Sequence, residues 1–347
     1  MKKLSIRNIL VPIDFSAISV DAIATAKLLA KQFDATTHVV YVNQFTSPAA
    51  VVAAQLKTVA KRTGLSPRQQ KPLIRGAAAF HDICRLADEL PADLIVMSTH
   101  GYTGLKYVFL GSTAERVVQH SPSPVFVVRQ KQQRSRIAPR LSIKRILVPV
   151  DFSDCSREGL NYAIWFANEF GAAITLLHAS YLGYNYSSDG MVLYDVRELQ
   201  EAARQSAERQ MQELVRTVNF GSVKIETILT SGSPELDICS FAKGHDVDLI
   251  ITSTHGFTGL KHALIGSVAE RVVRHAPCSV LVVPSHPQAR TAIVEKIRAA
   301  IRRRRPASRS DDRGRLAQAV ALWFSSTLIN RNENTCNSHC CFARSTC

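Results

Sequence analysis

The chain has 347 residues, of which 46% are hydrophobic and 20% charged, with a formal net charge of +15. This is the composition of a folded globular protein and excludes collagen, wholesale disorder and a membrane-embedded chain. The charge taken alone points to a nucleic-acid or membrane-surface binder, so its distribution along the chain decides how it is read.

In chain order, Asn8–Ile13 is a continuous apolar run, as expected of a strand buried on both faces of a parallel sheet. A helix follows, with Ser16 near its N-cap. Strand two is predicted at Thr37–Val42, a helix at Ala49–Arg62 and strand three near Lys71–Ile74. A helix at Phe80–Glu89, strand four at Leu94–Ser98, a short helix opening at Ser112 and strand five at Val125–Val128 complete the series.

The series then repeats. Asn8-Ile-Leu-Val-Pro-Ile-Asp-Phe-Ser16 returns as Arg145-Ile-Leu-Val-Pro-Val-Asp-Phe-Ser153, and Asp93-Leu-Ile-Val-Met-Ser-Thr-His-Gly101 as Asp248-Leu-Ile-Ile-Thr-Ser-Thr-His-Gly256. Leu110-Gly-Ser-Thr-Ala-Glu-Arg-Val-Val118 returns as Ile265-Gly-Ser-Val-Ala-Glu-Arg-Val-Val273. The offset is 137 at first and 155 later, with the extra length around Tyr181 to Val196. The second copy is predicted to hold strands at Ile174–Ala179, Val223–Leu229, Leu249–Ser253 and Val280–Val283. Its helices are Val196–Val218, Glu235–Lys243, one opening at Ser267, and a first helix with Leu160, Ala163, Ile164 and Ala167 on its apolar face. This alternation predicts two tandem open five-stranded parallel α/β domains of Rossmann-like type, over 1–130 and 145–284. A basic linker, 131–144, joins them, and a basic tail, 285–347, follows.

The charge divides along the same lines. Residues 1–128 carry +6 and 146–284 carry −6, while Arg129–Arg145 holds seven basic groups and no acid, and 285–347 carries +8. Contact with nucleic acid or anionic lipid is therefore expected only through linker or tail. The tail has the composition of a solvated, disordered extension. Its Cys336, His339, Cys340 and Cys347 lack paired metal-ligand spacing. No window approaches the roughly 20 apolar residues of a membrane span. The scattered Cys84, Cys155, Cys239 and Cys278 form no disulfide framework, so a cytoplasmic location is expected.

Sheets of this kind bind ligands beyond the carboxyl ends of their strands. Asp14 and Asp151 end strand one there; Val42 and Ala179 end strand two. After strand four come Ser98-Thr-His-Gly101, nine residues and Gly111-Ser112, repeated as Ser253-Thr-His-Gly256, nine residues and Gly266-Ser267. Glycine permits close backbone approach, and a helix opening at Gly-Ser offers N–H groups and a dipole to a phosphate. A carboxylate at the end of strand one can accept a ribose hydroxyl or help hold a metal. His100 and His255 read as locally bonded loop residues, Lys106 and Lys261 as solvated, and Glu115-Arg116 and Glu270-Arg271 as surface charges. No catalytic residue and no resident metal are expected. Neither a Walker A run nor a tight dinucleotide turn is present.

On these motifs both copies resemble the universal stress protein family, in a tandem form. The resemblance implies a five-stranded parallel sheet, association through strand five and, in one branch, ATP or AMP binding, with Mg2+ accompanying ATP. By that carry-over the nucleotide site of the first copy would use Pro12, Asp14, Val42, Ser98, Gly101, Gly111, Ser112 and Thr113. That of the second would use Pro149, Asp151, Ala179, Ser253, Gly256, Gly266, Ser267 and Val268. Ser98 and Ser253 stand where that branch has its first glycine. The family implies a binding module rather than an enzyme, with at most weak ATP hydrolysis. The alternative is an interaction or chaperone-like scaffold that binds no nucleotide. Strand five of each copy would be an exposed edge unless paired. The two copies are therefore expected to pair as an intramolecular pseudo-dimer, with a homodimer as a further assembly.

Overall fold

A computed structural model describes residues 4–43, 48–66, 70–75, 78–98, 111–129, 141–180, 196–254 and 266–284. The first repeat runs β1 (Asn8–Ile13), α1 (Ala17–Phe33), β2 (Thr36–Asn43), α2 (Ala49–Thr63), β3 (Gln70–Arg75), α3 (Ala79–Glu89), β4 (Leu94–Ser98), α4 (Ser112–His120) and β5 (Val125–Val128). The second runs β6 (Arg145–Pro149), α5 (Asp154–Phe170), β7 (Ala173–Ala179), α6 (Val196–Thr217), β8 (Ile225–Thr230), α7 (Pro234–Gly244), β9 (Leu249–Ser253), α8 (Ser267–His275) and β10 (Ser279–Val283). The α/β alternation expected from the sequence is thus present, although strand three of the second repeat starts at Ile225 rather than Val223.

The strands form one ten-stranded sheet in the order β3-β2-β1-β4-β5-β10-β9-β6-β7-β8. Within each repeat the pairing is parallel, and the register of strand one against strand four is the same in both. Ile9 and Leu10 face Leu94 and Ile95, as Ile146 and Leu147 face Leu249 and Ile250. Both repeats pin this register with one carboxylate. Asp93 Oδ2 accepts the Arg7 and Asn8 amides at 2.8 and 3.0 Å, and Asp248 Oδ2 accepts those of Lys144 and Arg145 at 2.8 and 3.1 Å. Where the repeats meet, β5 and β10 run antiparallel, with Phe126 opposite Leu281 and both side chains buried.

Strand side chains alternate between two cores, one on each face of the sheet. Ile9, Val11, Val96, Phe126, Ile146 and Leu281 join residues of α1, α2, α5 and α6. Leu10, Ile95, Val127, Leu147, Ile250 and Val280 join residues of α3, α4, α7 and α8. Each core is continuous across both repeats. On the first face the repeats also meet through aromatic rings: Phe33 of α1 lies 4.8, 5.5 and 5.8 Å from Trp165, Phe166 and Phe170 of α5. The predicted apolar face of α5 faces the core: Leu160, Ala163 and Ala167 are buried and Ile164, half-buried, packs against the same cluster, which Phe166 also enters.

Phe126 fills the join at 1% exposure, so Phe126→Ala is expected to cost about 3–5 kcal/mol in urea unfolding. Burial, with Glu158 and Asp93 adding to it, pushes the Tyr162 phenol up to about 12. A raised phenol pKa stabilises the fold below the unfolded value near 10 and loses that contribution as pH rises toward 12. Stability measured by urea titration should therefore fall by about 2 kcal/mol between pH 10 and 12, and Tyr162→Phe should flatten that slope.

Candidate nucleotide site

The strand order reverses between β1 and β4, and again between β6 and β9, so a crevice opens at the carboxyl end of the sheet in each repeat. Proline helps to open it. The β1–β4 ladder includes Ile9 and Leu10, and Pro12, further along β1, has no N–H to continue it. Pro149 stands in the same place beyond Ile146 and Leu147.

At the mouth of the crevice each repeat forms one Asp-Phe-Ser turn. Asp14 Oδ1 accepts the Ser16 amide at 3.0 Å and its hydroxyl at 2.6 Å. Asp151 Oδ1 does the same for Ser153, at 3.1 and 2.5 Å. Ser16 and Ser153 in turn cap α1 and α5, accepting the Ser19 and Ser156 amides at 3.2 Å. The residue between is held left-handed: Phe15 and Phe152 both have φ of 64°. That geometry costs a non-glycine residue about 1–2 kcal/mol. The turn hydrogen bonds offset it, as does ring stacking on strand two. Phe15 packs on Tyr41, and Phe152 on His178, each with centroids 4.4 Å apart. Burial raises the Tyr41 pKa, and the Asp14 charge raises it further. These aromatic pairs were missed in the sequence, where Phe15 and Phe152 read only as repeat markers.

The strand ends converge beside this turn. Val42 is buried at the end of β2, and Ala179 is half-buried at the end of β7. Ser98 and Ser253 close β4 and β9 with exposures of 7% and 8%. The α4 and α8 helices begin on Gly111 and Gly266, with no side-chain cap, while Ser112 and Ser267 are exposed. Thr113 and Val268 follow, half-buried. The first amides of such helices have no partner within the helix. The Gly266 amide donates to Thr254 O at 2.6 Å, and the Thr254 amide to Val283 O at 2.9 Å, which fastens the start of α8 to the end of β9. Gly101, Gly256, His100, His255, Lys106 and Lys261 lie outside the described residues. So do the tail cysteines. A hollow of about 500 Å³ opens beside Ser180, Leu229, Thr230 and Ser231 in the second repeat, and another of about 500 Å³ beside Phe15 and Val20 in the first.

One expectation about charge is corrected. Glu115 and Glu270 are half-buried rather than surface groups, because α4 and α8 pack at the junction of the repeats. Arg116 lies 5.1 Å over the Phe80 ring, whereas Arg271 pairs with Glu235 at 2.6 Å. The four described cysteines, Cys84, Cys155, Cys239 and Cys278, form no disulfide. Among the described residues no helix is long and apolar enough to cross a membrane.

The model of the universal stress protein family matches residues 5–129 and 142–284. The chain belongs to this family, with two copies of its domain. It is similar to the universal stress protein MJ0531 of Methanocaldococcus jannaschii, 36% identical over 141 residues, covering 40% of this chain and 81% of that protein. It is similar to the universal stress protein YxiE of Bacillus subtilis, 28% identical over 144 residues, covering 40% and 97% respectively. In fold it is similar to the functionally unknown protein PA1789 of Pseudomonas aeruginosa PAO1, at 19% identity and TM-score 0.59, covering 85% of this chain and 98% of that one.

Replacing Ser16 or Ser153 by Ala removes an N-cap acceptor and one donor to the neighbouring aspartate. Each change is expected to cost about 1 kcal/mol, read as a lowered midpoint in chemical denaturation.

Proposed function

We propose that each repeat binds an adenine nucleotide, ATP or AMP, at the carboxyl end of its half of the sheet, and that occupancy signals to partners in a stress response. One feature carries the reading. The helices α4 and α8 both start on glycine, in both repeats and at the same place relative to the crevice. A phosphate would complete those helix starts. Gly111, Ser112 and Thr113 would hold it in the first repeat, and Gly266, Ser267 and Val268 in the second, with Gly101 and Gly256 allowing the loop to approach. Pro12 and Pro149 keep the crevice open, and Val42 and Ala179 would present backbone groups to the base. Asp14 and Asp151 each engage Oδ1 in the capping turn, and their carboxylates would accept a ribose hydroxyl.

Mg2+ would enter with the phosphates of ATP. The protein then acts as a binding module, with weak ATP hydrolysis as the upper limit of its chemistry. The antiparallel β5–β10 pairing serves as an intramolecular pseudo-dimer, in the place where single-domain relatives would pair two chains. The competing reading is a scaffold without nucleotide. It draws on Ser98 and Ser253, whose side chains occupy the nearly closed strand ends where a glycine would leave room.

Denaturing the purified protein and identifying what it releases, followed by calorimetric titration with ATP and AMP, separates the two. Binding is expected, and Gly111→Val with Gly266→Val should weaken it at least about tenfold, a loss of roughly 1.4 kcal/mol. No released nucleotide and no heat at millimolar ATP would leave the scaffold reading standing.

A further inference from the structure

The two crevices share a backbone and differ in charge. The repeat offsets of 137 and 155 identify the equivalent positions around them. In the first turn of α1 and α5, Ala17 gives way to Asp154. Arg75 closes β3 opposite Asn43, at the register position where Thr230 closes β8 opposite Ala179. At the start of α3 and α7, Phe80 gives way to Glu235. All three exchanges make the second crevice the more negative. One runs the other way, Val20 giving way to Arg157.

The exchange of Phe80 for Glu235 reaches the helix that begins at the phosphate position. Arg116 lies in the second turn of α4, roughly 7 Å along the axis from Gly111. Its guanidinium stands 5.1 Å over the Phe80 ring, a contact that leaves its charge in place. Arg271 holds the same position on α8, but Glu235 pairs with it at 2.6 Å and cancels its field at a distance. The Glu235 carboxyl is held below its ordinary range by its own amide, and by Ser233 and Arg271, so it is ionised at neutral pH. The hollows repeat the contrast. The one beside Phe15 in the first repeat is lined by a single charged residue, Arg62, among the described residues. The one beside Thr230 in the second is lined by Glu201, Arg204 and Glu208, with one carboxylate in excess. Arg129 follows β5 where Pro284 follows β10, but its charge is taken up by the end of α8, where it donates to Val273 O at 3.1 Å and to Arg274 O.

Resting on the nucleotide reading of both crevices, we infer that the two sites of one chain take different ligands: ATP in the first repeat and, in the second, a nucleotide of lower charge, AMP. Asp154, Glu235 and the absence of Arg75 set three charges against the one of Arg157, a net of two toward the negative. Acting at about 10 Å through water on the roughly two further charges of ATP over AMP, they change the ratio of ATP to AMP affinity roughly tenfold at about 10 mM salt. Screening at about 150 mM reduces this to about twofold. Occupancy of the chain then depends on both nucleotides at once.

The test uses the full chain, with one site weakened by Gly266→Val or Gly111→Val and the other titrated calorimetrically with metal-free ATP and AMP. The ATP-to-AMP affinity ratio should be about tenfold higher at the first site in about 10 mM salt, and the difference should shrink as salt is raised. Mg2+, which takes two charges from ATP, should shrink it as well. Adding Asp154→Asn with Glu235→Gln to the Gly111→Val chain should bring the second site's ratio up to that of the first, with circular dichroism establishing that the variant folds. Binding with equal ratios at the two sites, or a difference that salt, Mg2+ and the double substitution leave unchanged, would overturn this inference and leave the nucleotide reading standing. Binding of neither nucleotide at either site would overturn both.

Discussion

The architecture depends on the antiparallel union of β5 and β10. A parallel five-stranded sheet ends in a strand with one row of unpaired amide and carbonyl groups, and β5 and β10 are such strands. Joining them removes both edges at once. It also makes the core on each face of the sheet continuous across both repeats. The aromatic contact of Phe33 with α5, and the burial of Tyr162 near Asp93, are consequences of that union.

A second consequence is the position of the candidate sites. Because the central strands of the sheet run antiparallel to each other, the carboxyl ends of β1 and β4 lie at one end of the sheet and those of β6 and β9 at the other. The two crevices therefore open in opposite directions, while α4 and α8 meet at the shared join, where Glu115 in the first turn of α4 pairs with Arg274 in the last turn of α8. Arg129 caps that same end of α8.

The repeats keep their geometry while exchanging side-chain chemistry. The left-handed phenylalanine is retained, yet its stacking partner is Tyr41 in one repeat and His178 in the other. The arginine after Glu115 or Glu270 is retained, yet it meets an aromatic ring in one case and a carboxylate in the other. Backbone requirements, namely a turn that reverses the chain after strand one and caps the next helix, tolerate such exchange because they need only the Asp and Ser oxygens.

Much of this was legible in the sequence. The apolar runs, the internal repeat and the Gly-Ser helix starts follow from local patterning, since a strand buried on both faces must be apolar and a helix start must settle its amides. Family membership could be read from the same motifs. Asp93 and Asp248 were visible only as repeat markers, because their task, holding the amides at the start of a strand some 85 residues earlier in the first repeat, is long-range. Phe166 was missed for the same reason: periodicity describes one face of a helix, whereas Phe166 of α5 also meets Phe33 of α1. The asymmetry of the join was beyond local pattern altogether. Arg129 reads as the first of a basic run, and only the tertiary structure sets it over the carbonyl end of α8, because that contact exists once two distant strands have paired.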